Sequence, residues 1–167
     1  MQIDSLEDVL VHELNDLYSA EDQLIEALPK MAEAASDDKL RQAFTQHLEE
    51  TRDHRDRIQE IFGLMGKRRN GMECEGMKAL IEEGEKIIES RGDSAAKDAA
   101  LISAAQRVEH YEIAAYGTAR TLAGDLGLSD AKELLEQTLD EESQADTLLT
   151  KIATGGRITS GVNEKAK

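Results

Sequence analysis

Apolar residues recur every three or four positions through four long stretches of the chain, which is the spacing of one face of an α-helix. In the first stretch, for example, the series runs through Leu14, Leu17, Leu24 and Leu28. A shorter helix is predicted over Glu75–Ser90. The pattern predicts four long amphipathic helices, over Ser5–Ala34, Asp37–Leu64, Ser94–Asp125 and Asp130–Ala153.

The connections between these helices predict how they pack. Short turns near Ser36 and Gly127 make the first two and the last two long helices antiparallel neighbours, and the segment 64–94 is long enough to cross the bundle. We therefore expect an all-α fold: a ferritin-like four-helix bundle with one long crossover that contains a short fifth helix. The bundle domain should span residues 1–153, and residues 154–167, which have adjacent glycines and few apolar side chains, should form a flexible tail.

Composition limits the classes of partner. The formal net charge of −15 argues against binding to nucleic acid or to an anionic membrane. The single cysteine, Cys74, fits a reducing cytosol. Residues 1–8 do not resemble a secretion signal, and no apolar run is long enough to span a membrane. A soluble, cytoplasmic protein is expected.

Acidic residues occupy the middle of every long helix, on or beside its apolar stripe. Several carboxylates at one depth in a bundle cannot all stay ionised unless positive charge lies among them. Glu21 and Glu50 are centred on the first turn, and Glu112 and Glu142 on the second, so each lies roughly 22 Å from its turn. Both pairs therefore fall at the midplane of the bundle, where we predict a metal site.

Further candidate ligands lie one helical turn away, because His54 follows Glu50 by four residues and Asp146 follows Glu142 by four. His47 could replace His54, and Asp146 could instead form a surface ion pair, as could Glu109. Cys74 is expected to be a buried or loop thiol outside the site. Carboxylates with one imidazole suit two iron or manganese ions. The predicted metal ligands are Glu21, Glu50, His54, Glu109, Glu112, Glu142 and Asp146.

Four stretches of the sequence are distinctive: LYSAEDQL (Leu17–Leu24), HLEET (His47–Thr51), VEHYEIAAYG (Val108–Gly117) and LDEESQAD (Leu139–Asp146). Together they resemble the YciF branch of the YciE/YciF stress-protein family, a ferritin-like group. The resemblance covers residues 3–155 and implies a rubrerythrin-related bundle that forms a homodimer. It also implies functional roles for the predicted carboxylates, namely Glu21, Glu50, Glu109, Glu112, Glu142 and Asp146.

The chain departs from the Glu-x-x-His motif that di-iron ferritin-like proteins carry on two helices. Asp53 and Ala145 stand three residues after Glu50 and Glu142, so at most one imidazole is expected at the site. Without metal, crowded carboxylates should hold protons, and Glu142→Leu should then stabilise the protein.

The sequence thus leads to an expected function without assigning a catalytic residue. We expect a di-metal protein of the stress response, with two iron or manganese ions per chain, that acts on peroxide or dioxygen. Two alternatives remain open. One is iron sequestration without turnover, and the other is a structural dimer whose carboxylates hold protons instead of metal.

Overall fold

The computed structural model describes residues 3–156 and 160–167. It confirms the predicted all-α bundle, with four long helices and a short helix in the crossover, and every predicted boundary lies within one residue of the observed one. The long helices are α1, α2, α4 and α5, and the crossover helix is α3. The bounds are α1 Leu6–Ala34, α2 Asp38–Leu64, α3 Glu75–Glu89, α4 Ser94–Asp125, α5 Ser129–Thr154 and α6 Val162–Lys165.

The first four helices, α1 to α4, begin at side chains that satisfy free backbone N–H groups, whereas α5 and α6 have no such cap among the described side chains. The Ser5 hydroxyl accepts a hydrogen bond from the backbone of Asp8, 3.2 Å away, at the start of α1. The turn between α1 and α2 is tied to α4, because the Asp98 carboxylate accepts the N–H groups of Ser36 (2.9 Å) and Asp37 (2.7 Å). Asp98 is buried, so these bonds fix the first hairpin against the second.

The core divides into two apolar clusters, one on either side of a polar band. Along each long helix the buried glutamates and histidines fall between members of the two clusters, as Glu21 does between Leu17 and Leu24. The first cluster includes Leu24, Leu28, Leu40, Phe44, Leu101 and Leu149. The second includes Leu10, Leu14, Leu17, Ile58, Phe62 and Leu135. The band is therefore sealed from both ends of the bundle.

Polar side chains of α1 hold the crossover segment that leads to α3. The Asn15 Oδ1 atom accepts the N–H of Asn70 at 2.8 Å, and the Ser19 hydroxyl accepts the N–H of Cys74 at 2.9 Å. The Cys74 thiol is buried, as expected, and its sulfur accepts the N–H of Met77 at the start of α3. These contacts position α3 across α1 and α4.

The segment after α5 was expected to be a flexible tail. Its described part contacts the bundle: Val162 of α6 is buried in the first apolar cluster, and Lys165 Nζ lies 2.7 Å from Asp37 Oδ2. Residues 157–159 lie outside the described part of the chain. The flexibility of the tail stays a prediction. Because Val162 and Lys165 contact the bundle, that prediction does not extend to all of residues 154–167. None of the described helices has the length and apolar character needed to cross a bilayer.

Candidate metal centre

Buried acidic and imidazole side chains from all four long helices meet in the polar band. They form two groups, and within each group one ligand atom per residue lies within 4.8 Å of all the others. Glu142 belongs to both groups, so the two lie side by side. The first group is His47, Glu109, Glu112 and Glu142, and the second is Glu21, His54 and Glu142.

Helical spacing explains why these residues converge. His47 and His54 stand seven residues apart on α2, which is close to two turns, and both lie on its buried stripe with Thr51. Glu109 and Glu112 stand three apart on α4 and share a face in the same way. Each helix therefore presents its donors to the centre of the bundle.

Each imidazole has one nitrogen held by an outer carboxylate and the other facing the centre. His54 Nε2 lies 2.9 Å from Glu141 Oε2, and Arg57 in turn binds Glu141 with Nη2 at 3.1 Å from Oε1. His47 Nδ1 lies 3.3 Å from Glu50 Oε2. In a neutral imidazole that donates its N–H outward, the inner nitrogen has a free lone pair. This arrangement is typical of histidines that bind metal.

The inner nitrogens lie among the glutamates. His54 Nδ1 is 2.8 Å from Glu142 Oε1 and 3.6 Å from Glu21 Oε1. His47 Nε2 is 3.5 Å from Glu109 Oε1 and 3.6 Å from Glu142 Oε2. These distances suit ion pairs, but neither inner nitrogen makes a hydrogen bond of acceptable geometry.

Many of the buried oxygen and nitrogen atoms that could bind a metal ion lack a hydrogen-bond partner among the described residues. A buried polar atom without a partner costs about 1–3 kcal/mol, so a group of them needs a compensating ligand. A metal ion would supply one, and the two groups could hold metal ions. The unpartnered atoms of the centre are Glu21 Oε2, His47 Nε2, His54 Nδ1, Glu109 Oε2, and both carboxylate oxygens of Glu112 and Glu142.

Without metal, protons supply the positive charge. Burial alone would lower the pKa of His47 and of His54, but the surrounding glutamates outweigh it and raise these values to about 10 and about 11. Burial would raise the pKa of Glu142, but the charges of both imidazoles lower it to about 2. Burial, with the charge of Glu142, raises the pKa of Glu112 well above its ordinary value. In the metal-free centre these pKa shifts favour protonation of both histidines and of Glu112.

A tyrosine that the sequence analysis did not single out contacts this centre. The buried Tyr116 hydroxyl donates a short hydrogen bond to Glu21 Oε1. The sequence could have indicated this contact, because Tyr116 follows Glu112 by four residues and therefore shares its face of α4. The ring of Tyr18, which is about as far from the first turn as His54, packs against the Arg69 guanidinium, whose Cζ lies 3.6 Å from the ring centroid.

Two of the seven predicted ligands lie outside both groups, and the other five lie within them. The Glu50 side chain is 32% exposed, and its Oε1 accepts a 2.8 Å hydrogen bond from Gln46. The Asp146 side chain is 23% exposed and lies 3.4 Å from His110 Nε2, as in the alternative of a surface ion pair. Metal binding by Glu50 and Asp146 stays a prediction. The expectation of at most one imidazole differs from the structure, in which both His47 and His54 belong to the centre.

Fold and site together define an all-α bundle with a buried carboxylate–imidazole cluster that could hold metal ions. The family model described as a domain of unknown function, DUF892, matches residues 5–167. Protein YciF of Escherichia coli strain K12 is 48% identical over 171 residues, which cover 100% of this chain and 98% of YciF. The chain therefore belongs to the DUF892 family, and its resemblance to the YciE/YciF stress proteins is confirmed.

Solved structures agree with this assignment. The crystal structure of the E. coli stress protein YciF superposes with a TM-score of 0.87 at 49% identity, covering 89% of this chain and 94% of that one. YcfI of Rhodopseudomonas palustris gives 0.87 at 41% identity, with coverages of 91% and 97%. A protein of Xanthomonas campestris pv. campestris gives 0.70 at 20% identity, covering 88% and 89%, and supports the fold alone.

Proposed function

We propose that this protein is a ferritin-like di-metal carboxylate protein of the stress response, which binds two iron or manganese ions per chain and reacts with peroxide or dioxygen. The observation that carries the proposal is the cluster of buried, unpartnered donor atoms contributed by all four long helices. Glu142, shared by both groups, would hold both ions.

The donor chemistry supports iron or manganese. The groups contain four carboxylates and two imidazoles, and the only cysteine lies outside them, so no thiolate favours a softer metal. Four carboxylates also balance the charge of two divalent cations. Two adjacent ions of this kind would supply the two electrons that reduce one peroxide molecule.

One observation favours a metal-free structural role as the second candidate. The 2.8 Å separation of His54 Nδ1 from Glu142 Oε1 is that of an ion pair, so a protonated histidine can neutralise Glu142 without metal. In that case the cluster would serve only to specify how the helices pack.

Metal analysis of the purified protein separates these candidates. We expect up to two iron or manganese ions per chain in the wild type and in the control Glu49→Ala, whose side chain is 68% exposed. Glu142→Ala should lose most of the metal, because Glu142 belongs to both groups. Full occupancy in Glu142→Ala would refute the assignment, and a wild type that binds no metal would support the structural role.

Peroxide consumption then separates reactivity from sequestration. The reduced, metal-loaded protein should consume about one equivalent of hydrogen peroxide per metal pair and then stop until a reductant is added. No consumption at full occupancy would identify a sequestration protein.

A further inference from the structure

We propose that the cleft between α2 and α5 is the route by which a hydrated divalent cation enters the centre, and that Glu50 binds the cation on the way. The proposal rests on the metal-binding function proposed above and adds the path and the residue that serve it.

The cleft has a volume of about 320 Å³, and His47 and Glu109 of the centre form part of its lining. Both side chains are more than nine-tenths buried, and each has an unpartnered atom, Nε2 of His47 and Oε2 of Glu109. A cation in the cleft would therefore meet free donor atoms of the centre itself. A hydrated ion fits such a cleft, because a water molecule occupies about 30 Å³.

Glu50 lies between solvent and these inner donors. Its side chain is 32% exposed, and its Oε2 lies 3.3 Å from Nδ1 of His47. No lysine or arginine of the described residues forms an ion pair with Glu50, whereas Glu141, the next carboxylate of the lining, is bound by Arg57. Lys151 also lines the cleft, but it is exposed, so solvent and salt screen its charge. Glu50 is thus the carboxylate of the cleft best able to take up a cation.

The opposite approach to the centre does not suit a cation. A second cavity, of about 40 Å³, reaches His47 and Glu109 from beneath α3. Its walls are mainly apolar, with Leu28, Met31 and Val108 among them. A cation that passes these apolar walls would lose its water and gain few polar partners in exchange, at a cost of several kcal/mol.

The test measures the rate and the extent of Co²⁺ binding to metal-free protein, by stopped-flow absorbance. Glu50→Gln removes the charge but keeps the shape and an oxygen for His47, and Glu49→Gln removes a charge from the outer face of α2 as its control. Ala145→Leu narrows the cleft, and Ala114→Leu, at an exposed position on α4, is its control. Circular dichroism checks that every variant is folded.

Glu50→Gln and Ala145→Leu should each slow Co²⁺ uptake about five-fold or more, while the final number of ions per chain stays at the wild-type value. Both controls should bind at the wild-type rate. Unchanged rates in both cleft variants would overturn the route, and a lower final number of ions in Glu50→Gln would show a resident ligand instead. A wild type that binds no Co²⁺ would refute the metal-binding function itself, which distinguishes the two failures.

Discussion

Two equally buried glutamates of the centre should respond in opposite ways to replacement by leucine in the metal-free protein. Glu112 and Glu142 are both 0% exposed. Burial raises the pKa of each, but the charges of His47 and His54 reverse this effect at Glu142 and lower its pKa to about 2. At Glu112 the charge of Glu142 adds to burial, so its pKa is raised well above the ordinary value and the neutral form is favoured.

Glu142→Leu removes the anion that lies between two protonated imidazoles. A fall in pKa from 4.5 to about 2 contributes stability above pH 4.5 that is lost as the pH falls towards 2, so it is fully present at pH 7. The shift corresponds to about 3 kcal/mol of folding stability. Removal of one partner of a buried ion pair typically lowers stability by a similar amount, about 3–5 kcal/mol. We expect the free energy of unfolding to fall by about 3 kcal/mol. This expected loss of stability is the reverse of the gain expected from the sequence, which treated Glu142 as one of several crowded carboxylates.

Glu112→Leu removes a carboxyl group that favours its neutral form and whose two oxygens have no hydrogen-bond partner. An unsatisfied buried group of this kind costs about 1–3 kcal/mol, and leucine adds apolar contact in its place. We therefore expect the metal-free protein to gain about 1–3 kcal/mol. The metal-loaded protein should lose stability in both variants, because each lacks a candidate ligand.

Urea denaturation of chelator-treated protein at pH 7, followed by circular dichroism, measures both changes as shifts of the midpoint at constant slope. Repeating the titration with saturating Mn²⁺ gives the metal-loaded values. If both variants shift the metal-free midpoint in the same direction, the assignment of charge to Glu142 and of a proton to Glu112 is wrong.

Three further predictions concern the turn, the pH dependence and the assembly. Asp98→Ala should lower the free energy of unfolding in urea by about 2 kcal/mol, because two backbone N–H groups lose their acceptor, while exposed Asp140→Ala should stay within about 0.5 kcal/mol of the wild type. The metal-free protein should lose stability as the pH rises from 6.5 through about 10, because His47 and His54 keep protons in the native state that the unfolded chain releases. A flat profile in urea titrations would contradict the pairing with Glu142. Light scattering at micromolar concentration should give twice the chain mass, as the homodimer predicted from the family resemblance requires, and a monomer mass would refute it.

The start of α1 could be predicted within one residue because two independent signals coincide there. At α1 the apolar period begins next to Ser5, whose side chain caps the helix. No comparable signal marks α6, because a helix of four residues, Val162–Lys165, is too short to show a period. The burial of Val162 depends on the surface that α4 and α5 offer to it, and this surface exists only after the bundle has formed.

Counting residues outward from each turn predicted the height of the site along the bundle. It did not predict which face of each helix points into the site. The turn between α1 and α2 contains residues 35–37, so the residue level with Glu21 is Thr51. Glu50 is one position away, which changes the height by only about 1.5 Å but rotates the side chain by about 100°. That rotation turns Glu50 towards the cleft. The buried stripe of α2 in fact contained both imidazoles, since Phe44, His47, Thr51, His54 and Ile58 recur at helical spacing.

The number of imidazoles changes the chemistry that the proposed centre favours. Six carboxylates with one imidazole, as expected from the sequence, would nearly balance two trivalent ions and so stabilise the oxidised state. The two groups instead offer four carboxylates with two imidazoles, which balance two divalent ions. Oxidation of such a pair would leave excess positive charge in a buried band between two apolar clusters, where charge is costly. The outer carboxylates Glu50 and Glu141 would offset part of this charge through the histidines they hold, but Glu141 is already paired with Arg57. The residues of the proposed centre would therefore stabilise a reduced pair best, and they would favour the return of electrons after a reaction with peroxide.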